Sequence, residues 1–149
     1  MPEIWTDERV AGLPSWSVIR THLLLAPRLF RTLAPVGLSP TQFGVLVQLD
    51  NTPGATSSEL ARRCLMTPQS MSELLPGLEA AGYVSRTPAG RGRPAPVHLT
   101  DAGREVLARA TPLVEQADRA ENLGLEPDEL ATLTALLARV VAAVDVSGP

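Results

Sequence analysis

Three helix N-terminal signals follow one another in the middle of this chain, and together they constrain its fold more than any other feature. Ser39-Pro40-Thr41-Gln42 combines a capping residue, a proline at the first helical position and a glutamine placed to close a capping box. Thr56-Ser57-Ser58-Glu59 repeats the box pattern after the turn residues Asn51-Thr52-Pro53-Gly54. Thr67-Pro68 gives a third start almost at once. This segment is therefore predicted to form three short helices joined by tight turns.

The second and third of these helices are separated only by residues 65–67, which predicts a helix-turn-helix. Its second helix, the recognition helix of such a motif, is predicted to run from Pro68 to Ala81 and to end at Gly82. Apolar residues on one face predict its buried side: Met71, Leu74, Leu75 and Leu78. The other positions are predicted to face outward: Gln69, Ser70, Ser72, Glu73, Pro76 and Gly77.

A short hairpin is predicted directly after this helix. Residues 83–87 and 95–99 are strand candidates, and the segment between them is rich in proline and glycine. Arg91 and Arg93 lie at its tip, where a packed structure has few uses for them. The pattern predicts a wing with two cations at its end.

Long amphipathic helices are predicted on both sides of this central segment. From Leu13 to Leu33 the apolar residues recur at alternating steps of three and four, and Pro27 is predicted to kink this helix. Thr100-Asp101 begins a further helix, and Pro127 begins the last one, where leucine and valine repeat at the same steps. Because a chain of 149 residues has too little remaining structure to cover seams this long, they predict a partner chain.

Composition narrows the function classes. A content of 44% apolar and 19% charged residues is typical of one globular domain, and no apolar run approaches the roughly 20 residues that span a bilayer. Residues 57–99 hold five arginines and three acidic residues (+2), whereas the remainder holds eight arginines and thirteen acidic residues (-5), which gives the net charge of -3. One cysteine and two histidines favour neither a disulfide nor a zinc cluster, and no nucleophile or phosphate-loop motif indicates an enzyme. We expect a cytoplasmic, non-enzymatic protein without cofactor or metal.

Three short sequences, taken with this order of elements, resemble the multiple-antibiotic-resistance regulator (MarR) family: Leu-Ser-Pro-Thr-Gln-Phe at 38–43, Leu-Glu-Ala-Ala-Gly-Tyr-Val at 78–84 and Leu-Thr-Asp-Ala-Gly at 99–103. The resemblance implies a mainly α fold with a small β wing. It implies an N-terminal dimerisation helix region at 1–37, a winged helix-turn-helix DNA-binding domain at 38–100 and C-terminal dimerisation helices at 101–149. It also implies an obligate homodimer that reads a palindromic operator in double-stranded DNA, and a small aromatic effector bound between the dimerisation helices and the winged domain.

The chain departs from the family pattern at two places. Arg91 stands where the family usually has an aspartate two residues before Arg93, so the wing lacks an orienting carboxylate and gains a second cation for a narrow minor groove. Pro76-Gly77 stands where the family commonly carries polar or basic residues. The C-terminal half of the recognition helix therefore offers no phosphate anchor.

Candidate DNA contacts follow from this frame, because glutamine can pair bidentately with adenine, glutamate can accept from the cytosine amino group, and arginine can bind phosphate. The candidates are Thr67, Gln69, Ser70, Ser72 and Glu73 on the recognition helix, Arg62 and Arg63 at the end of the helix before it, and Arg91 and Arg93 on the wing. The alternatives are a solvated helix face, repulsion of phosphate by Glu73, and pairing of Arg62 or Arg63 with an acid.

Candidate effector-site residues are the aromatic and histidine side chains Trp16, His22, Phe30 and Phe43. The alternatives are a core or dimer-interface position for the aromatic rings and a surface position for the histidine. Cys64 is either a redox sensor or an ordinary buried cysteine.

The sequence thus predicts a homodimeric DNA-binding transcriptional regulator, a repressor released by a small-molecule effector. The alternative is a winged-helix protein-interaction module that has lost DNA binding. Glu73, Pro76-Gly77 and the negative net charge favour that alternative.

Overall fold

The computed structural model describes residues 6–88, 90 and 92–145 of the chain. The helices are α1 (Asp7–Ala11), α2 (Pro14–Leu33), α3 (Pro40–Asn51), α4 (Ser57–Arg63), α5 (Pro68–Ala80), α6 (Asp101–Ala117), α7 (Ala120–Leu123) and α8 (Pro127–Asp145), with a 3-10 turn at Ala34–Val36. The strands β1 (Val84–Arg86) and β2 (Val97–Leu99) pair antiparallel, with Ser85 opposite His98. The arrangement confirms the prediction of a mainly α chain with a small β wing.

Side-chain caps fix the starts of α3 and α4, as the sequence predicts. Ser39 Oγ accepts a hydrogen bond from the Gln42 backbone at 3.1 Å, and Gln42 Oε1 accepts one from the Ser39 backbone at 2.9 Å. Thr56 and Glu59 make the same reciprocal pair at 3.3 and 2.8 Å. The hydrogen bond from the Thr56 backbone lowers the pKa of Glu59. This cap therefore contributes fully above the ordinary pKa of glutamate and is lost as the pH falls through the lowered one.

The hydrophobic core is built from the central helices, the sheet and the first half of α6. Its large, fully buried side chains are Leu33, Val45, Leu46, Leu49, Leu60, Met71, Leu75, Leu78, Val97 and Val106. No polar or charged side chain of the described residues is buried, so apolar packing alone holds this part of the chain together.

The structure differs from the sequence prediction mainly in short elements. The strands have three residues each instead of five, because Pro94 and Pro96 have no backbone N–H to extend the ladder on the second strand. The helices α1 and α7 were not predicted, since four or five residues carry too little periodicity. The helix α2 runs through Pro27, so this proline does not end it.

A close contact joins the end of α5 to the start of α6. Thr100 Oγ1 donates to the Gly82 carbonyl oxygen at 2.5 Å and accepts from the Gly103 backbone at 3.0 Å, so one hydroxyl caps α6 and holds the turn after α5. Gly103 then lies directly against the Tyr83 backbone, where an added Cβ would overlap the Tyr83 carbonyl oxygen. Two of the sequences that resemble the family, 78–84 and 99–103, therefore meet at this point.

Leu65 is the strained residue of the turn between α4 and α5. Its φ is 52°, the left-handed region, and it is the non-glycine residue with positive φ in the described part of the chain. Its N–H bonds to the Arg62 carbonyl at 3.2 Å, and the Met66 N–H bonds to the Ala61 carbonyl at 2.8 Å, which is the helix-ending pattern that normally places glycine here. The side chain gains no burial in return, since it is 69% exposed.

We expect Leu65→Gly to raise the free energy of unfolding by about 1 kcal/mol, because glycine removes the steric penalty of the left-handed conformation. Urea denaturation followed by circular dichroism measures this gain. Leu65→Ala is the control, since it trims the exposed side chain but keeps the Cβ that causes the strain. An equal gain in both variants would show that the exposed leucine, and not its backbone, is the cost.

Two compact units divide the described chain within α6, one ending at Leu113 and the other starting at Val114. In the first unit, α2 exposes large apolar side chains: Trp16, Val18, Ile19, Leu23, Leu24, Leu25 and Phe30. In the second, α8 exposes Leu133, Leu136, Leu137, Val140, Val141 and Val144. No helix in the described ranges has the length and apolar content to cross a membrane. The three-part division at 37 and 100 stays a prediction.

Candidate nucleic-acid interface

The helix-turn-helix is formed by α4, the turn from Cys64 to Thr67, and α5. Met71, Leu75 and Leu78 are fully buried on one side of α5, and Leu74 is half-buried beside them. The outward face is the predicted one, and all six of its members are exposed: Gln69, Ser70, Ser72, Glu73, Pro76 and Gly77. Its N-terminal half is polar, which is the half that reaches base edges in helix-turn-helix proteins.

Hydrogen bonds order the first turn of α5. Thr67 Oγ1 accepts from the Ser70 backbone at 3.1 Å and donates to Ser70 Oγ at 2.9 Å. Gln69 Nε2 donates to Glu73 Oε1 at 3.2 Å, across one helical turn. Thr67 is thus occupied as the helix cap, whereas Gln69, Ser70 and Glu73 keep unused hydrogen-bonding groups on the exposed face.

Arg62 and Arg63 end α4, and both are exposed. The predicted alternative was that one of them pairs with an acid, but neither forms an ion pair with a carboxylate of the described residues. Their nearest influence is on Glu59, whose pKa they help to lower after the larger effect of its hydrogen bonds to Thr56. Two unpaired guanidinium groups next to α5 are suited to phosphate binding.

The wing extends from the two-stranded sheet. Its base is fixed on both sides: Val97 exchanges backbone hydrogen bonds with Gly54 and Ala55 at 3.1 and 3.0 Å, and Arg86 pairs with Glu79 of α5 at 2.9 Å. Arg93 is exposed near the tip, and its N–H bonds to the Gly90 carbonyl at 3.0 Å. Arg91, the second predicted wing cation, lies outside the described residues. The interface candidates therefore come from α4, α5 and the wing, three consecutive parts of one compact unit.

Cys64 lies at the end of α4, half-buried at the mouth of a cavity of about 340 Å³. Burial raises the pKa of its thiol, so little reactive thiolate is present at neutral pH. This favours the ordinary structural cysteine over the redox sensor. The cavity is lined by Pro40, Thr41, Gly44, Gln48, Cys64 and Met66.

The predicted effector residues lie elsewhere. Trp16 and Phe30 on α2 are 43% and 53% exposed, His22 on the same helix is exposed, and Phe43 on α3 is half-buried. None of the four lines the cavity beside Cys64. The aromatic rings of α2 are therefore surface groups in the single chain and not part of its core.

Sequence reasoning missed three features of this region. The Glu79–Arg86 pair joins residues on a helix and a strand and has no local signature. The cavity had only a weak signal, Gly44 inside a helix, where an added Cβ would meet nothing within 4 Å. The Gln69–Glu73 hydrogen bond had a clear one, because side chains four positions apart on a helix are neighbours.

Comparisons with known proteins agree with this geometry. The model of the MarR family matches residues 36–93, the segment from the end of the 3-10 turn to the wing. The HTH-type transcriptional repressor Rv2887 of Mycobacterium tuberculosis is 40% identical over 100 residues, which cover 66% of this chain and 72% of the repressor. Its structure in complex with salicylic acid matches with a TM-score of 0.69 and 35% identity over 87% of this chain and 96% of that one.

The repressor CouR provides two further solved structures. CouR bound to a 23-mer DNA duplex matches with a TM-score of 0.83 and 31% identity, covering 93% of this chain and 99% of CouR. CouR bound to p-coumaroyl-CoA matches with a TM-score of 0.79 and 33% identity, covering 93% and 98%. With its helix-turn-helix, its wing and these relatives, the chain belongs to the MarR family of DNA-binding transcriptional regulators.

Proposed function

We propose that this chain is a homodimeric repressor that binds a palindromic operator and releases it when a small aromatic molecule binds. The observation that carries the proposal is the polar, exposed first half of α5, fixed in register by buried Met71, Leu75 and Leu78. CouR on a DNA duplex and with p-coumaroyl-CoA, and Rv2887 with salicylic acid, support both halves of the cycle. Binding to the chromosome places the protein in the cytoplasm, and the proposal needs no catalytic step.

The interface residues take different roles in this proposal. Gln69, Ser70, Ser72 and Glu73 face the base edges of the major groove, since they lie at the N-terminal half of the recognition helix. Arg62 and Arg63 bind phosphates at the end of α4, and Arg93 reaches a minor groove together with Arg91. Thr67 acts indirectly, because its hydroxyl holds the start of α5.

Anisotropy titration of labelled DNA from the region upstream of the protein's own gene tests this function. We expect saturable binding whose log affinity falls linearly with log salt concentration, and release when salicylate or p-coumaroyl-CoA is added. Flat titrations at low salt, together with capture of a stoichiometric protein partner, would favour the interaction module instead.

The effector is proposed to bind at Trp16, His22, Phe30 and Phe43, where exposed rings can stack on an aromatic ligand. The cavity beside Cys64 is the competing location. Its lining residues carry no positive charge, so it offers an aromatic carboxylate no counter-ion. Loss of the salicylate response in Trp16→Ala but not in Gly44→Leu, which fills the cavity, would identify the first location.

We expect Arg93→Ala to weaken binding more when the DNA under the wing is A·T-rich than when it is G·C-rich, because a narrow minor groove concentrates negative potential. Arg62→Ala is the control, since loss of a phosphate contact weakens both duplexes equally. Each variant should also reduce the salt slope by about one unit. Anisotropy titrations on two duplexes that differ only in that step measure both effects. Equal losses for Arg93→Ala on the two duplexes would mean that Arg93 only supplies charge.

A further inference from the structure

The recognition helix α5 carries no cation. Its sequence from Pro68 to Ala80 contains two charged residues, Glu73 and Glu79, and Glu79 is paired with Arg86 at 2.9 Å. The side chains that most often read guanine in the major groove, arginine and lysine, are therefore absent from this helix. Its exposed charge toward DNA is the Glu73 carboxylate, which no described cation neutralises.

The hydrogen bond between Gln69 and Glu73 fixes the orientation of the glutamine amide. An ionised carboxylate can only accept hydrogen bonds, so Gln69 must turn its NH2 group toward Glu73. One N–H of that group is used at 3.2 Å. The other N–H and the carbonyl oxygen Oε1 of Gln69 remain available, and so does the second carboxylate oxygen of Glu73.

These remaining groups match one base edge. Adenine presents the N6 amino donor and the N7 acceptor in the major groove, which pair with Gln69 Oε1 and its second N–H. The second oxygen of Glu73 can accept only from an amino group, and in the major groove such groups belong to adenine and cytosine. Guanine and thymine show acceptors at the equivalent positions, and these would face the carboxylate with like partial charge.

We propose that Gln69 and Glu73 act as one reading unit that selects an adenine followed by a base with a major-groove amino group, adenine or cytosine. Gln69 contacts the adenine directly, and Glu73 both positions the Gln69 amide and accepts from the neighbouring base. This inference rests on the proposed function, since it names the sequence that the same interface reads. It assigns to Glu73 a favourable role in place of repulsion of the phosphates.

Selection of duplexes from a random DNA pool by the full-length dimer, followed by anisotropy titrations on the selected duplex, tests the proposal. The wild-type protein should select adenine at one position of each half-site, with adenine or cytosine beside it. Replacement of that adenine by 7-deazaadenine, which lacks N7, should weaken binding about tenfold. Gln69→Ala should weaken binding to the adenine duplex and abolish its sensitivity to this replacement.

Glu73→Gln separates positioning from repulsion. If Glu73 positions Gln69, the preference of this variant for adenine over guanine should fall about tenfold, because the replacement amide no longer dictates which way Gln69 turns. Glu105→Gln, which removes an exposed carboxylate from α6, is the control for the change in net charge and should leave the preference intact. Thermal melts of both variants should match the wild type, since both side chains are exposed.

Two results would count against these ideas in distinguishable ways. If Glu73→Gln strengthens binding to every duplex by the same factor and keeps the preference for adenine, Glu73 only repels phosphate and the reading unit does not exist. If the wild-type dimer selects no sequence from the pool, the proposed DNA-reading function itself fails, and the reading unit fails with it.

Discussion

Gly103→Ala is expected to lower the free energy of unfolding by about 3 kcal/mol or more, the upper end of what overpacking costs. The reason is the contact of Gly103 with the Tyr83 backbone, where an added Cβ would overlap the carbonyl oxygen and lie 3.1 Å from the carbonyl carbon and from Leu99 Cδ2. Backbone atoms cannot rotate away as a flexible side chain can. The methyl group would therefore push α6 off the base of the wing and break the Thr100 hydrogen bonds.

Gly77→Ala is the matched control for this prediction. Gly77 also lies inside a helix, but an added Cβ there meets nothing within 4 Å. Alanine should stabilise α5 by about 0.5 to 1 kcal/mol, because it loses less backbone entropy than glycine on folding. Urea denaturation of both variants, followed by circular dichroism, measures the contrast. If Gly103→Ala unfolds at the same urea concentration as the wild type, the close approach of α6 to Tyr83 is wrong.

The double variant Leu133→Asp, Leu137→Asp is expected to separate the proposed dimer into folded monomers. Both leucines are partly exposed on α8, at 42% and 41%, so in the single chain aspartate remains hydrated. In a dimer interface the same carboxylates would be buried without a partner. With two such groups from each chain, we expect the dimer dissociation constant to rise at least about a thousandfold, roughly 4 kcal/mol.

Sedimentation equilibrium at micromolar concentration measures this change, and circular dichroism checks that the helix content is kept. The control is Ala135→Asp, Ala142→Asp, which adds the same charge to the opposite side of α8. That variant should sediment as a dimer. A wild-type protein that sediments as a monomer would contradict the dimer itself, whereas loss of helix content in Leu133→Asp, Leu137→Asp would show that these leucines serve the fold of the chain.

The helix starts and the buried face of α5 could be predicted from the sequence because their causes are local. A capping box is complete within four residues, and the Ser39–Gln42 and Thr56–Glu59 boxes form as the sequence predicts. The period of the apolar residues defines which side of α5 is buried, and this places Gln69 and Glu73 outside. The outward set of polar residues on the recognition helix therefore needed no tertiary information.

The wing was predicted only in outline. Glycine and proline between two strand candidates indicate a hairpin, but its length depends on which backbone groups find partners. Prolines at 94 and 96 limit the ladder, while the contact of Val97 with Gly54 and Ala55 gives the short sheet a neighbour that is far away in sequence. Propensity carries no information on such a partner.

What the sequence by itself determined is where the helices begin, which face of α5 is buried and which seams of the first and last helices are apolar, since each follows from residues within a few positions of one another. Only the tertiary structure decided that Gly103 must lie against Tyr83, that Arg86 is held by Glu79 while Arg62 stays unpaired, and that α2 and α8 leave their apolar side chains exposed in the single chain. The physical reason is that burial, close backbone approach and ion pairing are properties of distances between segments. Those distances exist only once the chain has packed.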